Sequence, residues 1–583
     1  MPNTSQLPAQ SIVSILEDAV QSLLSEEGLA PKVSVDRSKA GFESDFQSAA
    51  AMQLTKILRR SPREIAAELV SAVEERSAGF IEKSDISGPG FIGFRLSEEA
   101  LSSYLVRLLD EDRLGVRQSA GTVVVDFSSP NVAKRMHIGH IRSTVIGDAL
   151  RRMGLFLGYR VIGDNHIGDW GTQFGQIIYA WDHWLDRDAY EADPVGELER
   201  LYVKFNRDAK EQPDLMDRAR EELAKLQSGD ARNLALWTQF REDSREAFDT
   251  VYRRLGVHFD VTYGESHYND MLGPLVEDLI ARDIAEHSDG AVCVFFRDDE
   301  GEDVMPPFLI RKGDGASLYA TTDIATVAYR MSEWQPDRIL YVTDHRQKLH
   351  FDQLFSTCEK MGVETQFVHV PFGIMSLPEG SISTRGGNTI RLDELLDEAE
   401  SRARATQEER AAAGGEALSP EELDSLAAMI GIGAVKYADL SNNPASNIIF
   451  SFEKMLSFEG NTAPYLQYTS ARTHSLLRKA AGLGHLPDRA TLRIEDAVER
   501  GLFLHLLDFG PAVRSGFDSG KPSTLATYLY ELAALYHRWY AACPVLRLED
   551  NELIASRLNL TLLTQKTLSQ GLDLLGIGAP ERM

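Results

Sequence analysis

Val123-Val124-Val125-Asp126-Phe127-Ser128-Ser129-Pro130-Asn131-Val132-Ala133-Lys134-Arg135-Met136-His137-Ile138-Gly139-His140 is the stretch on which the fold turns. A β-branched run leads into a Ser-Pro-Asn loop, and an apolar-periodic segment, Ile141 to Leu157, follows. That order reads as strand, tight loop and helix N-terminus, the place where a doubly wound parallel sheet receives a nucleotide phosphate. His137 and His140, three apart, share one helical face. Gly139 between them lets backbone come close to a ligand, and a neutral imidazole can donate to a phosphoryl oxygen. The competing reading is a pair of histidines that merely cap and pack a helix start.

Working outward, Tyr159-Arg160-Val161-Ile162 reads as the second strand and runs into Gly168-Asp169-Trp170-Gly171-Thr172-Gln173-Phe174-Gly175, where three glycines imply close backbone packing or a ligand-facing loop. An acidic, mostly helical insertion is expected over about 182–297, its alternating charges belonging to solvated faces. The parallel sheet resumes near Phe308, with buried strands Arg338 to Val342 and Gln366 to Val370 and a helix Leu349 to Met361 between them. Upstream, Ile12, Leu16, Val20 and Leu23 mark a helix. A second is expected over Phe46 to Leu58, a third opens at Ser61-Pro62, and Phe91 to Leu96 alternates as a strand. Glu398 to Glu409 is a charged helix, 413–420 a loop, and beyond it the pattern is helical to the end, with Leu525, Leu529, Leu532, Tyr536 and Trp539 on one stripe.

At about 150 residues per domain, 583 residues suggest about four. The expected organisation is multidomain α/β: a small α+β domain over 1–110, a Rossmann-type parallel-sheet core over 111–375, a loop and helical connection over 376–460, and an all-α domain over 461–583. A net charge of −27 argues against a generic nucleic-acid coat, though not against a local basic groove. Cys293, Cys358 and Cys543 lie too far apart for metal-ligand spacing or a disulfide framework. With no signal-peptide pattern and no long apolar run, the expectation is a soluble, cytoplasmic chain without membrane contact.

The string Ser-Ser-Pro-Asn-x-Ala-Lys-x-x-His-x-Gly-His resembles the HIGH motif of class I aminoacyl-tRNA synthetases in its arginyl-tRNA synthetase form. Gly168 to Gly175, Ser87-Gly88-Pro89-Gly90-Phe91-Ile92 and the stretch Glu453 to Tyr468 resemble further strings of that family, in the same order along nearly the whole chain. The resemblance implies a ligase that activates L-arginine with ATP, as its Mg2+ complex, to arginyl-adenylate, and passes the arginyl group to the terminal adenosine of tRNA(Arg). It implies no structural metal, an N-terminal domain touching the tRNA elbow and a helical anticodon-binding domain; a monomer is the default.

Its motifs also imply roles. His137, Gly139, His140 and Lys134 are assigned to ATP, His140 also bordering the amino-acid site. Ser129, Pro130 and Asn131 hold the polar ends of arginine. A guanidinium is planar, always charged and best met by carboxylates; Asp323, one helical turn from Tyr319, and Glu265 match the family's positions, with Gln347 a further arginine contact. The second class I signature is a lysine-rich loop, whose counterpart here, Ser381 to Gly387, has no lysine. Lys134 and Arg385 remain as the cations for pyrophosphate. For tRNA, Arg472, Arg478, Lys479, Arg538, Trp539 and Met583 are the weaker candidates, most aromatics of that region belonging to the core. Two other classes fit parts of the chain: a HxGH nucleotidyltransferase making a small cofactor, and a synthetase-like tRNA-binding regulator without activity.

Overall fold

The computed structural model describes residues 7–24, 32–38, 43–313, 315, 318–376, 391–414 and 418–583. Four parallel strands form the central sheet: β1 (Thr122–Asp126), β2 (Arg160–Asp164), β3 (Arg338–Asp344) and β4 (Gln366–Phe372). Their order is β4-β3-β1-β2, with Val124 paired to Ile162 on one side and Ile339 on the other. β1 is central because its three valines are buried on both faces, as a parallel sheet covered by helices requires. The chain leaves β1 toward β2 and later returns to β3 on the other side, so a crevice opens at the carboxyl ends of β1 and β3.

α1 (Ile138–Phe156) follows β1, and α2 (Thr172–Trp184) opens the insertion, whose helices run to α3 (Ala231–Leu255). Its last part departs from the helical expectation. Glu286–Ser288, Ala291–Arg297 and Asp303–Arg311 form a three-stranded antiparallel sheet, so Phe308 lies there and not in the parallel sheet. The parallel layer resumes with α4 (Tyr319–Glu333), β3 and α5 (Lys348–Lys360). Beyond β4 come the helix Leu392–Ala412, α6 (Pro420–Leu440), α7 (Ala463–Gly482), α8 (Ser523–Ala542) and α9 (Asn551–Leu574). No described helix is long and apolar enough to cross a membrane.

The N-terminal unit has a four-stranded antiparallel sheet, Asp36–Arg37, Phe46–Ser48, Phe91–Leu96 and Ile81–Ser87 in that spatial order. The helix expected from Phe46 starts only at Ala50, because Phe46 pairs with Phe94 and is buried there. Ser61 does open the next helix, through a capping box with Glu64.

Charged side chains lace these parts together. Arg142 and Asp439, each 1 % exposed, join α1 to α6; Arg142 also donates at 2.8 Å to the carbonyls of Gly373, just past β4, and Ser446. Arg152 reaches Asp573 at the end of α9 and the carbonyl of Gly256. Lys436 donates to Gly576 O at 2.7 Å, and burial lowers its proton affinity to a pKa of about 8. Arg500 holds Asp45 at 2.6 and 2.8 Å and Leu96 O at 2.7 Å, docking the N-terminal sheet on the C-terminal helices.

Candidate active site

A cavity of 710 Å³ opens at the carboxyl ends of β1 and β3. One wall is the loop from β1 to α1, which carries three non-glycine residues in the left-handed region, Ser128 (φ 72°), Ser129 (φ 50°) and Ala133 (φ 62°). Such residues cost about 1–3 kcal/mol each and persist only where neighbours overdetermine them. They do here. Ser128 N–H donates to Ser143 Oγ at 2.9 Å, and its hydroxyl bonds those of Thr144 and Tyr252. Ser129 N–H donates to Asn165 Oδ1 at 3.0 Å, and Ala133 N–H to Ser244 Oγ at 2.9 Å. The loop is therefore gripped by α1, the segment after β2 and α3.

The two histidines cap α1 reciprocally. His137 Nδ1 accepts from Gly139 N–H at 3.0 Å, and His140 Nδ1 accepts from His137 N–H at 3.1 Å. Gly139 is required for this: a Cβ would lie 2.7 Å from His137 Cε1, so the glycine makes room for the ring of His137 rather than for a ligand. Burial, then the charge of Lys134, lowers the proton affinity of His137; burial and His137 hold His140 at a pKa of about 4. With each Nδ1 accepting, the proton of each neutral ring sits on Nε2. Among the described residues neither Nε2 has a protein hydrogen-bond partner, and both rings line the cavity. The helix N-terminus thus presents two neutral side-chain donors, while the N–H groups of Gly139 and His140 are taken by His137.

The opposite wall is acidic. Asp169 accepts from Ser266 N–H at 2.8 Å and from its hydroxyl at 2.7 Å, and Glu265 N–H donates to Ile167 O at 3.1 Å. Gly264 lies so close that a Cβ would meet the Asp169 carboxylate at 2.1 Å. The Gly-Asp-Trp-Gly segment thereby sets the turn that aims Glu265 into the cavity. Burial first, then the like charges of Asp323 and Asp169, raise Glu265 to a pKa of about 8. Asp323 comes from the second turn of α4, and its Oδ2 accepts from His350 Nε2 at 2.6 Å. Tyr319, 65 % exposed, stands at the mouth, and Gln347 precedes α5. Beneath them Arg330, wholly buried, ties Asp126 at 2.6 Å to Asp164 at 2.8 Å, so the ends of β1 and β2 carry carboxylates that stay paired.

Of the residues singled out in the sequence, Ser129, Asn131, His137, Gly139, His140, Glu265, Tyr319, Asp323 and Gln347 all line this one cavity. Pro130 is buried behind it. Lys134 does not line it: its ammonium sits 4.7 Å from the centre of the Tyr202 ring, on the helix Pro194–Asp208. Arg385 lies outside the described residues. Asp126, Arg142 and His350 line the cavity without having been singled out; Asp126 closes a strand, the other two lie within helices, and a lone polar residue in such a place carries no local signal. Among the described residues no three His, Cys, Asp or Glu side chains converge as a metal site.

On the C-terminal helices, Arg478, Lys479 and Arg538 are exposed, whereas Trp539 is fully buried and belongs to the core, so its ring offers no surface for a nucleic acid. Arg472 lies 4.3 Å from the Tyr540 ring centre and donates to His537. Met583 packs on the small cluster of Ala403, Leu426, Ala427 and Ile430.

Three family models match the chain: "Arginyl tRNA synthetase N terminal domain" over residues 10–96, "tRNA synthetases class I (R), catalytic domain" over 105–452, and "DALR anticodon binding domain" over 466–583. The chain is 42 % identical to the arginine–tRNA ligase of Fusobacterium nucleatum, with 99 % of this chain and all of that protein covered. It is also 42 % identical to that of Alcanivorax borkumensis, covering 98 % and 100 %. Among solved structures, the arginyl-tRNA synthetase of Plasmodium falciparum superposes with a TM-score of 0.83 at 27 % identity, covering 99 % of both chains. That of Thermus thermophilus does so with 0.80 at 26 %, covering 99 % and 100 %.

Proposed function

The chain belongs to the arginyl-tRNA synthetases, a family of class I aminoacyl-tRNA synthetases and so of arginine–tRNA ligases, and on that premise we propose how its residues divide the work. Arginine lies with its guanidinium between Asp323 and Glu265 and its polar ends on Ser129 and Asn131. ATP enters as its Mg2+ complex with its phosphates on the N-terminus of α1. An arginine carboxylate oxygen attacks the α-phosphorus, the bond to the β-phosphate's bridging oxygen breaks, and pyrophosphate leaves. A ribose hydroxyl of the terminal tRNA adenosine then attacks the arginyl carbonyl and releases AMP. No covalent enzyme intermediate is needed; positioning and charge stabilisation carry both steps. The Nε2–H donors of His137 and His140 meet charge that builds on the triphosphate while adding no fixed charge of their own. The observation that carries this reading is the single cavity, with neutral donors at a helix N-terminus on one wall and converging carboxylates on the other. The same proposal takes 1–110 and 461–583 as tRNA-binding domains, and the protein as a cytoplasmic monomer.

ATP–pyrophosphate exchange tests it. Arginine is the one amino acid expected to support exchange, and to do so with tRNA present. Exchange with another amino acid, or tRNA binding with no exchange at all, overturns the reading. The signature loop without lysine is the feature that favours the second outcome.

Glu265 gives a further expectation. With a pKa of about 8 it is protonated in the empty pocket at neutral pH. A guanidinium favours the carboxylate, so arginine binding expels that proton. Only the ionised fraction is competent, so apparent arginine affinity rises about tenfold per pH unit below 8 and levels off above it. Calorimetry at pH 7 in buffers of different ionisation enthalpy should show about one proton released per arginine. A pH-independent affinity without proton release would remove Glu265 from the guanidinium site.

A further inference from the structure

Asp323 does not stand free in the pocket. Its Oδ2 takes a 2.6 Å bond from Nε2 of His350, on the first turn of α5, and both side chains line the cavity, 26 % and 29 % exposed. The imidazole is itself held. It packs edge-to-face against Phe308 at 5.4 Å and 70°, and against Phe351 at 5.4 Å and 90°. Phe308 comes from the antiparallel sheet and Phe351 from α5, so the ring's position is set by two separate elements.

The terminal torsion of an aspartate is broad, and an unrestrained carboxylate swivels about it. An ammonium, a compact point charge, tolerates that freedom; a planar guanidinium, which seeks two parallel N–H···O bonds, does not. Fixing the plane of the carboxylate therefore favours a guanidinium over an ammonium of similar reach. We propose that His350 is a positioning residue for amino-acid selection: its Nε2–H fixes the plane of the Asp323 carboxylate and leaves Oδ1 and the remaining lone pair of Oδ2 to accept the arginine side chain. The role needs a donor and not a charge, since the neutral Nε2–H tautomer makes the same bond. It rests on the reading that this cavity binds arginine.

The test compares His350→Leu, His350→Phe and His350→Gln with Asp323→Asn in the full-length enzyme with tRNA present. His350→Phe keeps a ring between Phe308 and Phe351 but has no donor, and the amide of His350→Gln restores one. The leucine and phenylalanine variants should raise the KM for arginine by about tenfold or more, the fold-change for losing one charge-assisted hydrogen bond. The KM for ATP should stay near the wild-type value, and the preference for arginine over lysine should fall. His350→Gln should restore most of the arginine KM. An unchanged arginine KM in both donor-free variants overturns the inference, as does a glutamine variant as impaired as the phenylalanine one, or a parallel rise in both KM values. If Asp323→Asn also leaves the arginine KM unmoved, the pocket reading falls too. If Asp323→Asn raises it while His350→Phe does not, the role of His350 alone is overturned.

Discussion

Lys134→Ala is expected to slow adenylate formation by about 10²–10³-fold, the loss that follows removal of one preorganised donor to developing charge. The signature loop contributes no lysine, and this ammonium lies three residues before His137. It rests on the face of Tyr202, and its charge is already felt at the site, lowering the proton affinity of His137 and His140. Cation–π contacts of this kind hold an ammonium loosely, at about 0.5–1 kcal/mol where exposed, so departing pyrophosphate can draw it away. Because the effect grows with charge in the transition state, kcat should fall while the KM for arginine changes little. Rapid-quench measurement of the first turnover separates the two. Adenylate formed at near wild-type rate by Lys134→Ala would sink the assignment and move attention to Arg385.

Asp439→Leu should loosen α1 by about 3–5 kcal/mol, the penalty for stripping a buried ion of its partner. Arg142 would keep the carbonyls of Gly373 and Ser446 but lose both carboxylate oxygens of Asp439. Replacing both charges, Arg142→Met with Asp439→Leu, should recover much of that loss, since a buried pair gains little over apolar side chains of similar size. Amide hydrogen exchange along α1 reads the local opening energy directly. Protection of α1 that survives Asp439→Leu, or a double variant no better than the single one, would show that the pair does not hold the helix. Gly373 lies just past β4, so a loosened Arg142 also frees the chain where it leaves the sheet.

Much of this site could be read along the chain. The valine run, the Ser-Pro-Asn loop and the histidines are contiguous, and contiguity let them be placed on β1, its exit and the first turn of α1. Glu265 and Asp323 were legible only through their resemblance to family strings, for nothing in their spacing says that both face one cavity. The residues that aim them were not legible. Asp169 sets the Glu265 turn through Ser266, 97 positions away, and His350 meets Asp323 across 27. Arg330 between Asp126 and Asp164 closes over 204 and 166 positions, and an arginine in a helix interior resembles any solvated one until its burial is known. The antiparallel sheet at the end of the insertion was hidden for a different reason: its last strand carries Pro306-Pro307, its loops are acidic, and both features mimic a solvated connection.

The lacing of α1 also bears on how the molecule comes into being. A ribosome delivers this helix early, yet its anchors arrive late: Asp439 lies 297 positions beyond Arg142, and Asp573 lies 421 beyond Arg152. At about 5–20 residues per second, the longer interval takes roughly 20–80 s of translation. Until those anchors emerge the chain has β1, β2 and the histidine turn, and Arg151 and Arg152 can meet Asp260 and Asp148, but Arg142 lacks Asp439 and Arg152 lacks Asp573. The histidine-bearing helix thus gains its full set of anchors only once the helices that carry Asp439 and Asp573 have followed it out of the ribosome.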